Sequence, residues 1–293
     1  FNEPSSAYKQ GNFIDLCRGP HVQSTGKIKA FKIIKIAGAY WHGNAKNKQL
    51  QRIYGISFPE KKQLKDYLTL LEEAKKRDHR KIGKQLDLFS LHEEAPGFIF
   101  FHPKGVILIN ILKDFLRKEL NKLDYKEIMT PIILSRTLWE QSGHWDHYKE
   151  QMYFTKVDGK DFAVKPMNCP GAILIYREKL PSYRDFPIKL SELGYVHRHE
   201  LSGVLAGLFR VRAFTQDDAH IFCMQNQIEN EVLQLIDLTD FIYKTFNFTY
   251  HIELSTRPEK FAGKKENWDK AEKALENALN SKKIKFKLNP GDG

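Results

Sequence analysis

The chain has 293 residues, and its 47 Lys and Arg against 36 Asp and Glu give a formal net charge of +11, which favours a nucleic-acid or nucleotide partner. No apolar run is long enough to span a bilayer, and the first ten residues lack the pattern of a signal peptide, which argues against a membrane protein. Three cysteines, an odd number, favour free thiols in a reducing compartment such as the cytoplasm. Phe1 in place of Met and the abrupt end at Gly293 indicate a piece of a longer protein.

The first block, residues 1–58, is rich in β-branched and aromatic residues and contains the string DLCRGPH. Gly19-Pro20 within it predicts a turn that brings the thiol of Cys17 towards the imidazole of His21. Such a pair is compatible with part of a metal site, which normally needs three or four ligands, or with a nucleophile and its base. A buried structural cysteine is an equally good interpretation.

Apolar residues recur at intervals of three and four between Pro59 and Arg80, which predicts a connecting helix and a domain boundary. In the second domain the pattern predicts a long helix at 106–123 and a short strand that stops at Pro131. Further on it predicts strands at 152–155, 161–164, 184–190, 246–255 and 283–288, and helices at 172–180, 226–245 and 268–280. Cys169 precedes one of these helices, where the positive end of the helix dipole would favour a thiolate.

In the segment Tyr195–Phe222, two β-rich arms flank a loop with Gly203 and Gly207, and this pattern predicts an antiparallel hairpin. Because side chains alternate along a strand, the even positions of its second arm share one face. These residues are Arg210, Arg212, Phe214, Gln216, Asp218 and His220. A solvated outer face would give the same alternation, but such faces usually carry Lys, Thr and Glu. The face therefore predicts the floor of a site for an anionic ligand with a flat ring.

Each side chain on this face suits one part of such a ligand. Arg198 and Arg210, on opposite arms, could clamp a phosphate chain through their planar guanidinium groups. Phe214 could stack on a base, and Glu200, which shares parity with Arg198, could accept from an exocyclic amine. Asp218 could hold an ammonium or hydroxyl group, and His220 could bind a metal.

Several long strings resemble the threonyl-tRNA synthetase family of class II aminoacyl-tRNA synthetases. They are MNCPG, HRHELSG, RVRAFTQDDAHIF, ELSTRPEK, DLCRGPH and GAYWHGNAKNKQLQRIYG. The resemblance covers nearly the whole chain and implies an α+β fold, in which a class II catalytic core with an antiparallel sheet flanked by helices follows the C-terminal part of an α/β editing domain. It implies editing-domain residues at 1–58, a linker helix at 59–80 and an incomplete core at 81–293. The third class II motif, the third zinc ligand and the anticodon-binding domain would lie beyond Gly293.

The resemblance also implies an ATP-dependent threonine–tRNA ligase that uses Mg²⁺ with ATP, binds zinc, acts on tRNA(Thr) and forms a homodimer through the helix and strand that end at Pro131. The residues implied are Arg198 and Arg210 for phosphate, Glu200 and Phe214 for adenine, Gln216 and Asp218 for threonine, Cys169 and His220 for zinc, and Asp15, Cys17 and His21 for editing. Two positions depart from the family pattern: Ala172 stands where a histidine is expected, and His199 where asparagine is more usual.

Two other hypotheses compete with this one. The first is a catalytically inactive synthetase-like protein that binds RNA. The second is a sister class II ligase for proline or serine. Five residues argue against the first, because a pure RNA-binding protein needs no zinc pocket: Arg198, Glu200, Arg210, Cys169 and His220. Cys169 with His220 argues against the second, because the sister ligases need different pocket chemistry.

Overall fold

The structure is a computed structural model that describes residues 6–293, apart from the side chain of His147. Residues 1–5 lie outside the described residues. They are the start of the predicted editing-domain segment at 1–58 and of the ten residues that lack a signal-peptide pattern. The chain divides into two compact units, one up to Lys81 and the other from Ile82 to Gly293. Within the described part of the chain, no helix has both the length and the apolar character needed to cross a membrane.

The first unit is built from two antiparallel hairpins and a helix. The elements are β1 (Ala7–Gln10), β2 (Phe13–Leu16), β3 (Ala30–Tyr40), β4 (Gln49–Phe58) and α1 (Lys61–Lys76). β1 pairs with β2, and β3 pairs with β4 across an irregularity between Ile33 and Lys35. α1 begins at a capping box, in which the side chains of Glu60 and Gln63 each accept from the other's backbone N–H.

The second unit combines small sheets with helices. The helices that follow α1 are α2 (His79–Gln85), α3 (Pro103–Lys122), α4 (Arg136–Gln141), α5 (His144–His147), α6 (Cys169–Glu178), α7 (Ile228–Thr245) and α8 (Lys265–Ser281). The strands are β5 (Phe89–Ser90), β6 (Phe100–Phe101), β7 (Lys126–Glu127), β8 (Ile133–Ser135), β9 (Tyr153–Val157), β10 (Lys160–Val164), β11 (Ile188–His197), β12 (Ala213–Phe222), β13 (Ile252–Ser255) and β14 (Phe286–Asn289).

The hairpin of β11 and β12 forms the largest ladder of this unit, with β7 parallel to β11 on its other side. A second antiparallel sheet has the order β8-β10-β9, and β13 pairs in parallel with β14. A small core of Trp139, Met152 and Ala163 joins the second sheet to α4. The mixture of antiparallel sheets and separate helices is the predicted α+β fold.

Several predicted boundaries are wrong: the short strand expected to stop at Pro131 is β7, which ends at Glu127, and three further differences have a structural reason. The predicted strand at 184–190 and the first hairpin arm are one strand, β11. α6 begins at Cys169 itself, because Pro170 suits the first turn of a helix. The strand predicted from residue 246 begins only at Ile252, because Phe246 ends α7 and Asn247 follows in a left-handed conformation, with φ of 57°.

Candidate active site

The β11–β12 hairpin places its even-numbered residues on one sheltered face. In the antiparallel register Gly194 lies opposite Gln216, and Glu192 lies opposite Asp218, so the two residues of each pair belong to the same face of the sheet. The even positions from 214 to 220 of β12 are half-buried, whereas Thr215, Asp217 and Ala219 are exposed. The face that was predicted to carry the site is therefore more sheltered than the opposite face of β12.

The prediction that Arg210 and Arg212 continue the strand is wrong, because β12 begins at Ala213. Arg212 donates from Nε to the Glu200 carbonyl oxygen and from Nη1 to the Pro96 carbonyl oxygen, both at 2.9 Å. Its backbone N–H also donates to the Gly97 carbonyl at 2.7 Å. Arg212 therefore holds the loop between the two strands and does not line the sheet face.

Four of the predicted site residues form two contacting pairs at the loop end of the hairpin, which we call the arginine end. The guanidinium carbon of Arg198 lies 5.4 Å from the ring centroid of Phe214, at cation–π distance, while its Nε donates to the Pro166 carbonyl at 3.2 Å. Arg210 Nη2 lies 2.9 Å from Glu200 Oε2. The Glu200 carboxylate is therefore paired with Arg210, and a ligand that binds Glu200 would have to displace Arg210.

At the other end of the face, Asp218 and His220 of β12 lie beside Cys169 of α6, and we call these three side chains the thiol end. One ligand atom from each lies within 4.8 Å of the others, and all three residues are half-buried. A thiolate, a carboxylate and an imidazole are the donors that zinc prefers. Asp218 was predicted only as a substrate residue, although its position two residues from His220 on one strand already places both on the same face.

The expectation that the helix dipole favours a Cys169 thiolate is wrong for the metal-free chain. Burial, and then the neighbouring Asp218 carboxylate, raise the pKa of the Cys169 thiol. Both effects disfavour the charged form, and they outweigh the backbone hydrogen bond at the start of α6 that acts in the opposite direction. The donor set therefore fits a cation, because a divalent ion among these groups would offset both effects.

A buried ion pair that the sequence did not indicate lies beside the thiol end. Lys165 Nζ lies 2.8 Å from Glu192 Oε1 and 2.8 Å from Thr130 Oγ1. The side chains of Lys165 and Glu192 are 2% and 3% exposed. Since Glu192 lies opposite Asp218, Lys165 neutralises a carboxylate that would otherwise sit unpaired next to the donor group.

The three predicted editing residues line one cavity of the first unit. Asp15, Cys17 and His21 border a space of about 660 Å³, and the ring of His21 stacks on that of Tyr8 with centroids 3.7 Å apart. The exposed Cys17 accepts from the backbone N–H of Gly19 at 3.4 Å. Over the described ranges, neither Cys17 nor His21 belongs to a cluster of three residues able to share a metal ion.

Comparison with known proteins connects both units to one enzyme family. Residues 153–287 match the family model of the tRNA synthetase class II core domain (G, H, P, S and T), and residues 6–54 match the threonyl and alanyl tRNA synthetase second additional domain. A threonine–tRNA ligase of Acetivibrio thermocellus is 63% identical over 291 residues, which is 99% of this chain and 46% of that protein.

The chain belongs to the threonyl-tRNA synthetase family. A second threonine–tRNA ligase, from Caldanaerobacter subterraneus, is 62% identical over 99% of this chain and 45% of its own length. The chain thus spans about half the length of the curated relatives it matches.

Two solved threonyl-tRNA synthetase structures agree with the fold. The RNA-binding domain of the Cryptosporidium parvum synthetase has a TM-score of 0.72 and 46% identity, and covers 74% of this chain and 55% of that one. A putative synthetase from Aeropyrum pernix has a TM-score of 0.68 and 31% identity, with coverage of 74% and 53%. The predicted class II core with part of an editing domain is confirmed.

Proposed function

We propose that this chain carries the adenylate-forming site of a threonine–tRNA ligase, together with part of its editing site. The observation that carries the proposal is the donor group that Cys169 of α6 forms with Asp218 and His220, which share a strand face with Phe214. The relatives, about 60% identical, are named as threonine–tRNA ligases, and nothing favours the inactive RNA-binding alternative or a ligase for proline or serine.

The arginine end would bind ATP with its Mg²⁺. Phe214 would stack on the adenine ring, and Glu200 would accept from the exocyclic amine in place of its present partner, Arg210. Arg210, released from this pair, would turn to the phosphates. Arg198 would hold the α-phosphate, because its guanidinium already lies against Phe214 and is anchored on the Pro166 carbonyl.

The first reaction would join threonine to AMP. A carboxylate oxygen of threonine attacks the α-phosphorus of ATP, the bond to the β-phosphate breaks, and pyrophosphate leaves with its electron pair. The acyl group then passes to a ribose hydroxyl of tRNA(Thr), and AMP leaves. The first step needs little acid–base work, so positioning and charge neutralisation by Arg198 and Arg210 would carry most of its rate.

The thiol end would select threonine. Cys169 and His220 would hold zinc, which when bound supplies open coordination positions for the amino and hydroxyl groups of the amino acid. Gln216 and Asp218 would line the pocket around it. Valine has no hydroxyl and would be rejected, but serine differs by a methyl group worth only about 1–3 kcal/mol. The cavity at Asp15, Cys17 and His21 would serve the removal of serine from tRNA.

We also propose that the protein works in the cytoplasm as a homodimer that uses α3 and the segment after β7. Apolar side chains on these elements are strongly exposed: Ile111 is 61% and Met129 is 89% exposed. Free thiols at Cys17, Cys169 and Cys223 fit a reducing compartment.

The test is ATP–pyrophosphate exchange by the full gene product with each amino acid in turn, together with metal analysis. The expected result is one zinc per chain and exchange with threonine, with weaker exchange for serine. Absence of zinc, or exchange driven by proline, would overturn the proposal.

A further inference from the structure

Asn168 stands directly before Cys169, at the N-cap of α6, and is fully buried. An asparagine at this position usually accepts a hydrogen bond from the first turn of its helix. The side chain of Asn168 makes no such cap bond. Its amide reaches across to β12 instead, so Asn168 contacts the candidate site and does not cap α6.

The amide nitrogen of Asn168 donates to Gln216 Oε1 at 3.3 Å and to Asp218 Oδ2 at 3.2 Å. An ionised carboxylate only accepts, so the nitrogen, and not the oxygen, must face Asp218. Two consequences follow. The Gln216 carbonyl oxygen is held towards Asn168, which leaves its NH₂ group free to turn to a ligand, and Asp218 is fixed from both sides because its Oδ1 accepts from Ala219 N at 3.0 Å.

Gly194, which lies opposite Gln216 in the register, makes room for this amide. A Cβ atom on Gly194 would lie 2.2 Å from Asn168 Oδ1 and 2.6 Å from its Nδ2. Any other residue at 194 would therefore push the Asn168 amide off the sheet. Asn168 Oδ1 is buried without a hydrogen-bond partner within the described chain. The hydrogen bonds of the Asn168 side chain are therefore the two that its amide nitrogen makes to β12.

Resting on the proposed function, we propose that Asn168 is a positioning residue of the threonine pocket and that Gly194 supplies the space it needs. Asn168 orients the Gln216 amide so that its NH₂ group meets an oxygen of the amino acid, and it holds the Asp218 carboxylate beside Cys169 and His220. It acts on the amino-acid substrate alone, because none of its hydrogen-bonding partners lies at the arginine end.

Three variants of the full gene product test this: Asn168→Ala, the near-isosteric Asn168→Asp, and Gly194→Ala, which changes no polar group. Pyrophosphate exchange should show kcat/KM for threonine lower by about tenfold or more, with most of the change in KM, while KM for ATP stays within about twofold. Affinity for Co²⁺, followed through its thiolate absorption, should also fall, because the Asp218 carboxylate, which lines the pocket beside Cys169 and His220, would no longer be held next to the cation. Gly26→Ala, at an exposed glycine with the nearest atom 3.5 Å away, and Asn267→Ala, exposed on α8, serve as controls.

Thermal melting identifies variants that fold. Folded Asn168→Asp and Gly194→Ala proteins with the wild-type KM for threonine and wild-type Co²⁺ affinity would overturn the role of Asn168 while leaving the proposed function intact. Equal losses for threonine and ATP would also overturn it, because they would show a general structural effect. A wild-type protein that exchanges only with another amino acid would overturn the proposed function, and this inference with it.

Discussion

Two ion pairs near the site differ greatly in burial. The Lys165 and Glu192 side chains are almost fully enclosed, whereas Arg210 is 56% and Glu200 is 18% exposed. Removing two charges from water is costly, so the enclosed pair depends on its geometry and on the Thr130 hydroxyl, which accepts from Lys165 and donates to Glu192. Solvent screens the exposed pair, which contributes little to stability. The carboxylate beside the thiol end is therefore fixed by an enclosed pair, while the arginine end, our proposed ATP site, is held by a solvent-exposed contact that can be exchanged at small cost.

The largest expected effect comes from breaking the enclosed pair. Lys165→Met or Glu192→Gln should each lower the free energy of unfolding by about 3–5 kcal/mol, because each leaves an unpaired buried charge or an unsatisfied partner. Urea unfolding followed by circular dichroism measures this. The double variant Lys165→Met with Glu192→Gln, which removes both charges and keeps an acceptor for Thr130, should recover part of the loss. If each single variant lowered the free energy of unfolding by less than about 1 kcal/mol, the enclosed pair would matter no more for stability than the exposed pair.

The next effect concerns Phe214 at the arginine end and rests on the proposed function. Phe214→Ala should raise KM for ATP about tenfold, because stacking of a base on an aromatic ring contributes about 1–3 kcal/mol. KM for threonine should change much less. Phe214→Tyr, which keeps the ring under Arg198, is the matched control and should stay close to wild type in exchange assays. An unchanged KM for ATP in the alanine variant would argue that adenine binds elsewhere.

A smaller effect is expected for stability at the exposed pair. Glu200→Gln and Arg210→Gln should change the free energy of unfolding by less than about 1 kcal/mol, and a double-mutant cycle should give a coupling within the same bound. Raising the salt concentration should reduce that coupling further. A salt-independent coupling of several kcal/mol would place this pair in the same class as Lys165 and Glu192.

The smallest effect is a pH dependence from His197. Burial, and then the nearby Lys165 ammonium, lower the pKa of His197, whose Nδ1 is buried without a partner in the described structure. Because the folded-state pKa lies below the ordinary value of about 6.5, the neutral ring contributes stability above that pH. This contribution is lost as the pH falls through the folded-state pKa, since the unfolded chain takes up the proton more readily.

Urea midpoints measured from pH 7 down to pH 5 should therefore fall less steeply for His197→Gln than for the wild type. Asn267→Ala, at an exposed residue of α8 that carries no titratable group, is the control and should leave the slope unchanged. Identical slopes for the wild type and His197→Gln would contradict the lowered pKa.

Elements with a strong local pattern could be predicted from the sequence. The helix α3 and the short strands β9 and β10 each depend on the pattern of a few neighbouring residues, and all three occur within a few residues of their predicted positions. Strand alternation likewise grouped Phe214, Gln216 and His220 on one face. Local patterns do not predict conformation where contacts between distant segments determine it. Alternation placed Arg212 on the face of β12, but its guanidinium donates to the carbonyl oxygens of Glu200 and Pro96 in two other segments.

The supporting contacts of the site had no sequence signal. Lys165 and Glu192 are 27 positions apart, and Thr130 and Glu192 are 62 apart, so no periodicity connects them. Asn168 resembles an ordinary helix cap until the position of β12 is known. The placement of Cys169 beside His220 came from family resemblance, and the approach of Asp218 to both needed the three-dimensional arrangement of α6 over the hairpin.

The register of β11 and β12 also has a consequence for the order of folding. The ladder runs from His197 opposite Ala213 to Ile188 opposite Phe222, so it can close outward from a local loop with little loss of chain entropy. The contacts of Thr130 with Glu192 span a much longer stretch of chain and are expected to form later. The floor of the site would then be assembled before the segment that carries Lys165, Asn168 and Cys169 docks on it, so that the donor group is completed in the last stages of folding.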